Sequence, residues 1–292
     1  MRYLCIDRRR NQYPVRMMCR LLQVSRSGYY AWRVRPESRR ARTDRELTEL
    51  IRQIHTESDG VYGAEKITAE LNERGCPCGR HKVARLMRLA GLKGCPKTTF
   101  KVTTQRDPKH PVADNLLEQD FTAEGPNERW ASDITYIKTR QGWLYLAVVL
   151  DLYSRRVVGW SMSRWISRHL VLDALTMAVQ QRLPDDGLIH HSDRGSQYTS
   201  DDFRDELEMH KIQCSMSGRG NCYDNAVVES FFGLLKRERV NRNYYLTRDD
   251  AKQDIFDYIE CFYNRKRRHS YLGNISPVAY EKRATGQLQT VH

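Results

Sequence analysis

Apolar residues recur every three or four positions through the first third of the chain, which predicts helices. Short helical segments occupy residues 14–22 and start again near 29–32, and three longer helices follow. The first begins near Thr43 and Asp44, the second ends at Gly75, and a four-residue turn leads into the third. Their apolar faces consist of Leu47, Leu50, Ile51 and Ile54, then Ala64, Ile67 and Leu71, then Val83, Leu86, Met87 and Ala90.

The third of these helices is strongly basic on its polar faces. Two short helices joined by a glycine-containing turn, the second of them basic, are typical of a helix-turn-helix that contacts DNA. A plain three-helix bundle with a solvated basic face is the alternative. The predicted DNA contacts on this helix are Arg80, Lys82, Arg85 and Arg88.

From Trp130 onward the pattern changes to strands. Residues 130–137, 143–151 and 156–160 are rich in apolar residues, and a Gln-Gly turn separates the first two. This pattern predicts a three-stranded antiparallel meander. A helix (169–183), a strand (188–193), a helix (200–210), a strand (212–216) and a long helix (226–240) then alternate. This order predicts an α/β fold, a ribonuclease H-like mixed five-stranded sheet flanked by helices, behind an all-α N-terminal helix-turn-helix region.

The same pattern predicts five units along the chain. Residues 1–43 form an N-terminal helical segment, and residues 44–94 form the helix-turn-helix domain. Residues 95–126 hold four of the nine prolines and show little periodicity, which indicates a linker. Residues 127–240 form the α/β core, and residues 241–292 form a basic C-terminal helical extension.

The charge of the chain is unevenly distributed. Residues 1–112 carry a net charge of +14, residues 113–230 carry −6, and residues 231–292 carry +5, within a total of +13. Basic flanks around a mildly acidic centre favour a polyanion-binding protein whose central site holds cations. Basic surfaces that only keep a protein soluble are the alternative.

Composition narrows the cellular setting. The eight cysteines are scattered singly apart from Cys76 and Cys78, whose spacing is too short for a zinc knuckle, so we expect free thiols and no structural zinc. No apolar run reaches the ~20 residues of a membrane span, and the N-terminus lacks a secretory signal pattern. A cytoplasmic protein with no membrane partner is therefore expected.

Three carboxylates occur where elements of the predicted sheet begin or end. Asp133 lies in the first strand, Asp193 ends the fourth, and Glu229 falls in the first turn of the long helix. Carboxylates on rigid elements are what a pair of Mg²⁺ ions requires for phosphodiester chemistry. Two rivals are Asp151, interpreted as structural, and Asp224, interpreted as a loop residue or helix cap.

Several longer motifs make the chain recognisable. These are residues 130–137 (WASDITYI), 191–200 (HSDRGSQYTS), 224–238 (DNAVVESFFGLLKRE), 264–273 (NRKRRHSYLG) and 60–63 (GVYG). They closely resemble the second-reading-frame products of two-frame bacterial insertion sequences, which are transposases with a retroviral-integrase-like catalytic core. The resemblance covers nearly the whole chain, although a zinc-binding N-terminal module of retroviral integrases has no counterpart in it.

The resemblance implies roles for particular residues. Asp133, Asp193 and Glu229 would ligate two Mg²⁺ or Mn²⁺ ions and carry catalysis. Lys236 lies two helical turns after Glu229, on the same face, and would contact the terminal DNA of the element, unless it is an ordinary surface lysine. The basic tail would add DNA contacts through Arg265, Lys266, Arg267 and Arg268.

The expected function is that of a DNA transposase. It would cleave the 3′ ends of an insertion sequence and join them to target DNA by two-metal phosphoryl transfer. Ser192 and Tyr198 are interpreted as loop residues, because no covalent intermediate is required. Expected partners are the terminal inverted repeats, target DNA, further copies of the chain, and a first-frame product or a frameshifted fusion with it. Two alternatives stay open: a DNA-binding regulator with a non-catalytic core, and a ribonuclease H-like nuclease without strand transfer.

Overall fold

The N-terminal third of the chain is helical. The computed structural model describes residues 1–96, 113–117, 122–218 and 225–286. Its first three helices pack around a small core in which Ile6 and Tyr29 are fully buried. They are α1 (Arg2–Arg9), α2 (Val15–Leu21) and α3 (Arg26–Val34).

The next three helices form the predicted helix-turn-helix unit: α4 (Arg39–Glu57), α5 (Ala64–Glu73) and α6 (Arg80–Leu89). Helix α4 begins at Arg39, earlier than the Thr43–Asp44 start predicted, because the Ser38 hydroxyl accepts a hydrogen bond from the Ala41 amide and caps it there. The apolar faces of the three helices meet as predicted, although Ala90 stays partly exposed.

Five strands form a single mixed sheet in the order β3-β2-β1-β4-β5. The first three pair antiparallel, and β4 lies parallel to both β1 and β5. This confirms the predicted meander and the ribonuclease H-like arrangement, with a third strand that extends beyond the predicted residue 160. The strands are β1 (Arg129–Thr139), β2 (Gly142–Asp151), β3 (Val157–Ser163), β4 (Ile189–Ser192) and β5 (Gln213–Met216).

Helices cover both faces of this sheet. Helices α7 (Arg168–Arg182) and α8 (Asp201–Met209) share one apolar core with the sheet. Helix α9 (Ala226–Glu238) lies against the other face, in a core that also includes the helix-turn-helix unit and the C-terminal extension. Burial on both faces explains why β2 reads as a nearly continuous apolar run.

The C-terminal extension continues as helix α10 (Arg248–Phe256), a π-helical stretch (Asp257–Tyr263) and helix α11 (Pro277–Ala284). The first two of these segments follow each other directly, so residues 248–263 form one continuous helix whose second half is π-helical. Within the described residues, no helix has the length and apolarity needed to cross a bilayer. Of the predicted linker, residues 97–112 and 118–121 lie outside the described part of the chain.

Candidate active site and nucleic-acid surface

The sheet brings Asp133 and Asp193 to adjacent positions. In the parallel pairing of β1 with β4, Ser132 is opposite Ser192. Asp133 directly follows Ser132 and Asp193 directly follows Ser192, so the two aspartates occupy neighbouring positions. Neighbouring strands lie about 4.8 Å apart, which makes these carboxylates neighbours. Asp193 Oδ1 accepts a hydrogen bond from the Gly195 amide at 2.9 Å, and this turn directs the chain away from the sheet after the aspartate.

Helix α9 brings Glu229 toward the same edge. Its first turn is tied to β1, because the buried Asn225 side chain donates a hydrogen bond to the Ser132 carbonyl at 3.0 Å. That bond links the residue before the helix to the residue before Asp133. Residues 219–224, including Asp224, lie outside the described chain.

The electrostatics of Asp133 reflect this clustering. Burial of its carboxyl group raises its pKa to about 8, and the negative charges of Asp193 and Glu229 add to the rise. A hydrogen bond from the Ile134 amide and the positive charge of Lys236 oppose that effect. Three carboxylates gathered in one place repel one another when ionised, and a divalent ion bound among them would offset that repulsion.

The donor set fits a hard divalent cation, since Mg²⁺ and Mn²⁺ prefer carboxylate oxygens. The spacing is looser than in a ready-made centre: within the described ranges, no three His, Cys, Asp or Glu side chains stand close enough to hold a metal. The residues therefore fit the ions in chemistry and charge, and ligation requires their oxygens to come closer together.

A buried polar layer, which the sequence did not reveal, lies behind the carboxylates. The His190 ring is bonded to the Ser132 hydroxyl at 2.7 Å, and burial lowers the pKa of His190 to about 3. The His191 ring contacts the hydroxyls of Ser215 at 2.9 Å and Ser217 at 3.2 Å. These bonds join β1, β4 and β5 beneath the site, and the lowered pKa keeps His190 neutral.

Tyr198 and Ser192 lie in the interior. Ser192 ends β4 and is fully buried, and Tyr198 is only 2% exposed, packed edge-on against Phe203. Burial raises the pKa of Tyr198 well above its usual value, with further contributions from Asp133 and Asp193. The interpretation as a loop residue was therefore wrong for Ser192, which lies in a strand, and right for Tyr198, which lies in a turn with its side chain buried.

Asp151 has a structural environment. Its carboxylate accepts hydrogen bonds from the backbone amides of Asn127 and Tyr153, both at 2.8 Å, and of Ser154 at 3.2 Å. The Arg182 guanidinium lies 3.6 Å away. These contacts bind the end of β2 to α7 and agree with the structural interpretation.

The basic residues of α6 divide into two groups. Arg80 and Arg88 are exposed. Lys82 and Arg85 both reach Asp44 at the start of the helical triplet, at 3.3 and 2.6 Å, and remain partly exposed. All four therefore retain accessible surface on this helix.

The basic tail is divided more sharply. Arg265 and Lys266 are exposed. Arg267 is buried in a two-pronged ion pair with Glu238, and Arg268 pairs with Glu70 and Glu73 of α5. The expectation of DNA contacts from Arg267 and Arg268 does not fit this structure, because each guanidinium is already enclosed by carboxylates.

Lys236 lies beside the carboxylates, as its spacing from Glu229 predicted. Its ammonium is 4.9 Å from the centre of the Tyr136 ring, and the charge of Asp133 acts on it. Burial lowers the pKa of Lys236, and Asp133 opposes that shift. The side chain is half-buried and directed between the site and the β1–β2 hairpin.

Family profiles match three segments of the chain. Two profiles described as "Integrase core domain" match residues 123–222 and 229–284, and one described as "HTH-like domain" matches residues 42–98. The second integrase match reaches past α9 into the C-terminal extension. Sheet order, clustered carboxylates and these profiles together define a polynucleotidyl transferase with an integrase core and a helix-turn-helix unit.

Curated relatives agree along nearly the whole chain. Transposase InsF for insertion sequence IS3A of Escherichia coli (strain K12) is 43% identical over 97% of this chain and 99% of that protein. The insertion element IS600 uncharacterized 31 kDa protein of Shigella sonnei is 44% identical over 91% of this chain and 98% of that protein. The chain belongs to the family of insertion-sequence DNA transposases that includes InsF of IS3.

Among solved structures, a chain of the simian T-cell lymphotropic virus intasome, in complex with PP2A regulatory subunit B56 gamma, resembles this one. The two share 16% sequence identity and superpose with a TM-score of 0.48, over 82% of this chain and 75% of that chain. So distant a similarity carries no functional argument.

Proposed function

We propose that the chain cleaves the 3′ ends of an insertion sequence and joins them to target DNA at a site made by Asp133, Asp193 and Glu229. The observation that supports this most is the pairing of β1 with β4, which puts both aspartates at adjacent strand positions. The charges of Asp193 and Glu229 both act on Asp133, as expected for carboxylates that lie in one metal-binding site.

Two Mg²⁺ or Mn²⁺ ions, when bound, would neutralise charge on the attacking and leaving oxygens of an in-line displacement. Asp133, Asp193 and Glu229 would hold them. His190 and His191 would support the strands from behind, and Asn225 would keep the first turn of α9 against β1. No covalent protein–DNA bond is required, because a water molecule and then the freed 3′-hydroxyl act as nucleophiles.

The DNA is proposed to follow the exposed cations. Arg80 and Arg88, with Lys82 and Arg85, would bind the terminal inverted repeats through α6. Lys236 would position the terminal strand at the carboxylates. Arg265 and Lys266 extend the basic surface on the C-terminal side.

The active assembly is proposed to contain more than one copy of the chain on DNA, together with a first-frame product or a fusion with it. We place this assembly in the bacterial cytoplasm, at the nucleoid. No zinc is part of the proposal.

The test is Asp193→Asn, assayed for Mg²⁺-dependent joining of terminal DNA to a target. We expect a loss of at least ~100-fold, because electrostatic groups at a reacting centre contribute on that scale. Asp186→Asn is the matched control, since Asp186 is exposed and forms an ion pair with the exposed Lys211. Full joining by Asp193→Asn would contradict the proposal, and cut but unjoined products from the wild type would identify a nuclease instead.

A further inference from the structure

A groove of about 560 Å³ lies at the end of the β1–β2 hairpin, beside the turn that follows α9. It is lined by aromatic and basic side chains, among them Tyr136, Lys138, Arg140, Trp143, Lys236 and Tyr244. Lys236 connects it to the carboxylates, because that lysine lies near Tyr136 and interacts with Asp133. We call it the hairpin groove.

Three large aromatic rings of the hairpin groove are open to solvent. The side chains of Tyr136, Trp143 and Tyr244 are 53%, 46% and 78% exposed. Tyr136 and Trp143 meet edge to face, with ring centroids 5.1 Å apart and planes at 81°. Aromatic rings gathered on a surface mark a place where a ligand covers them.

The positive charge of the hairpin groove indicates the class of ligand that it binds. Lys138, Arg140 and Lys236 contribute three cations, and none of the described residues that line the groove is acidic. Cations alternating with exposed rings are the combination that binds single-stranded nucleic acid, because the rings stack on bases while the cations pair with phosphates. A paired duplex cannot use these rings, since its base faces are already covered by neighbouring bases.

We propose that the hairpin groove binds unpaired nucleotides of a DNA strand whose neighbouring phosphates lie at the carboxylates. The proposal rests on the proposed function for its placement beside a DNA-processing site, and it adds a strand-separated end as the form of DNA that is held. Bases of the unpaired segment stack on Trp143, Tyr136 and Tyr244, and Lys138, Arg140 and Lys236 bind its backbone.

The experiment measures binding of the full chain, in EDTA, to two fluorescently labelled duplexes. One duplex is blunt, and the other ends in a short unpaired overhang of the same sequence. Because no metal is present, a failure of catalysis does not affect the result. The wild type is expected to bind the overhang duplex more tightly, and Trp143→Ala is expected to weaken that binding about tenfold while changing the blunt duplex less than about twofold.

Trp165→Ala is the matched control. Trp165 is also an exposed tryptophan beside an arginine, with Arg164 5.5 Å from its ring, but it lies outside the hairpin groove. Its removal should leave both affinities unchanged. Trp143→Phe should restore most of the overhang preference, because a phenyl ring still stacks.

A second readout reports stacking directly. 2-Aminopurine placed in the overhang should be quenched when the wild type binds, and should stay bright with Trp143→Ala. If Trp143→Ala does not fold, Tyr244→Ala gives the same test at a more exposed ring. Equal affinity of the wild type for both duplexes, or an overhang preference retained by the alanine variants, would overturn the proposal. The joining assay on Asp193→Asn tests the proposed function separately, because that variant should lose joining and keep the overhang preference.

Discussion

Asp133 and Asp151 show how the environment of a residue decides what a carboxylate does. Asp151 is fully buried and satisfied by three backbone amides, with Arg182 nearby. Asp133 has one amide bond and two negative neighbours, and its pKa is raised to about 8. Burial raises the pKa of both carboxyl groups. For Asp151 the amides and Arg182 oppose that rise, whereas for Asp133 two negative neighbours add to it, and a bound cation would offset it.

The Asp133→Asn variant should reveal this cost through pH. The folded pKa lies above the unfolded one, so the folded chain holds an extra proton between about pH 4 and pH 8, and stability falls as pH rises through that window. The variant lacks this loss, so it should exceed the stability of the wild type by several kcal/mol at pH 8, with no difference near pH 4. Thermal unfolding in EDTA at both pH values measures it, and a pH-independent difference would contradict it.

Removing Asp151 should have the opposite effect. Asp151→Ala leaves one buried and two partly buried amides without their acceptor and should lower the free energy of unfolding by about 3 kcal/mol. Denaturant titration in EDTA measures this. Stability equal to the wild type would contradict the structural role of Asp151.

At the scale of elements, two glycines differ in how closely a neighbouring element approaches their backbone. A Cβ at Gly159 in β3 would lie 2.7 Å from Ala178 Cβ in α7, and closer still to the Ala174 carbonyl oxygen. A Cβ at Gly233 in α9 would meet nothing within 4 Å. The sheet and α7 therefore pack at a distance that only glycine allows.

These two glycines form a matched pair of alanine variants. Gly159→Ala forces β3 and α7 apart and should cost about 3 kcal/mol. Gly233→Ala adds only helix propensity and should stabilise the chain by about 0.5–1 kcal/mol. Denaturant unfolding compares them, and equal effects would show that the approach of β3 to α7 is less tight than described.

The ion pair between Glu238 and Arg267 joins α9 to the C-terminal extension. Arg267 Nη2 and Nε donate to the two carboxylate oxygens at 2.6 and 2.7 Å, and Tyr258 adds a third bond at 2.9 Å. Arg267→Met leaves this buried carboxylate with only the Tyr258 hydroxyl and, at 3.5 Å, Arg237 among its described partners, and should cost about 3 kcal/mol. The double variant with Glu238→Leu should recover much of this loss in the same unfolding measurement, and a purely additive result would contradict the coupling.

At the scale of the whole molecule, the helix-turn-helix unit is docked on the C-terminal extension. The Tyr62 hydroxyl donates to the Lys266 carbonyl at 3.0 Å and accepts from the Arg268 amide at 2.9 Å. Arg268 also reaches Glu70 and Glu73. This docking gives α6 a defined position relative to the carboxylates and leaves Arg80 and Arg88 exposed.

The basic charge should appear as a strong salt dependence of DNA binding. Each phosphate that is neutralised contributes about −0.9 to the log–log slope of affinity against salt. Arg80→Gln with Arg88→Gln should therefore flatten the slope by up to about 1.8. Lys211→Gln, on the surface of the catalytic core, should leave the slope unchanged. Fluorescence anisotropy across a salt series measures both, and an unaltered slope in the double variant would remove α6 from the interface.

The sequence by itself determined the order and type of the elements, because helical and strand periodicities report local burial. It placed Asp133 in the first strand, Asp193 at the end of the fourth and Glu229 in the first turn of the long helix, and it located the basic helix. Only the tertiary structure decided that Arg267 and Arg268 turn inward, that His190 and His191 lie beneath the site, and that aromatic rings line the hairpin groove. Those outcomes depend on partners far away in sequence, such as Glu70 for Arg268, which no local pattern of hydrophobic and polar residues encodes.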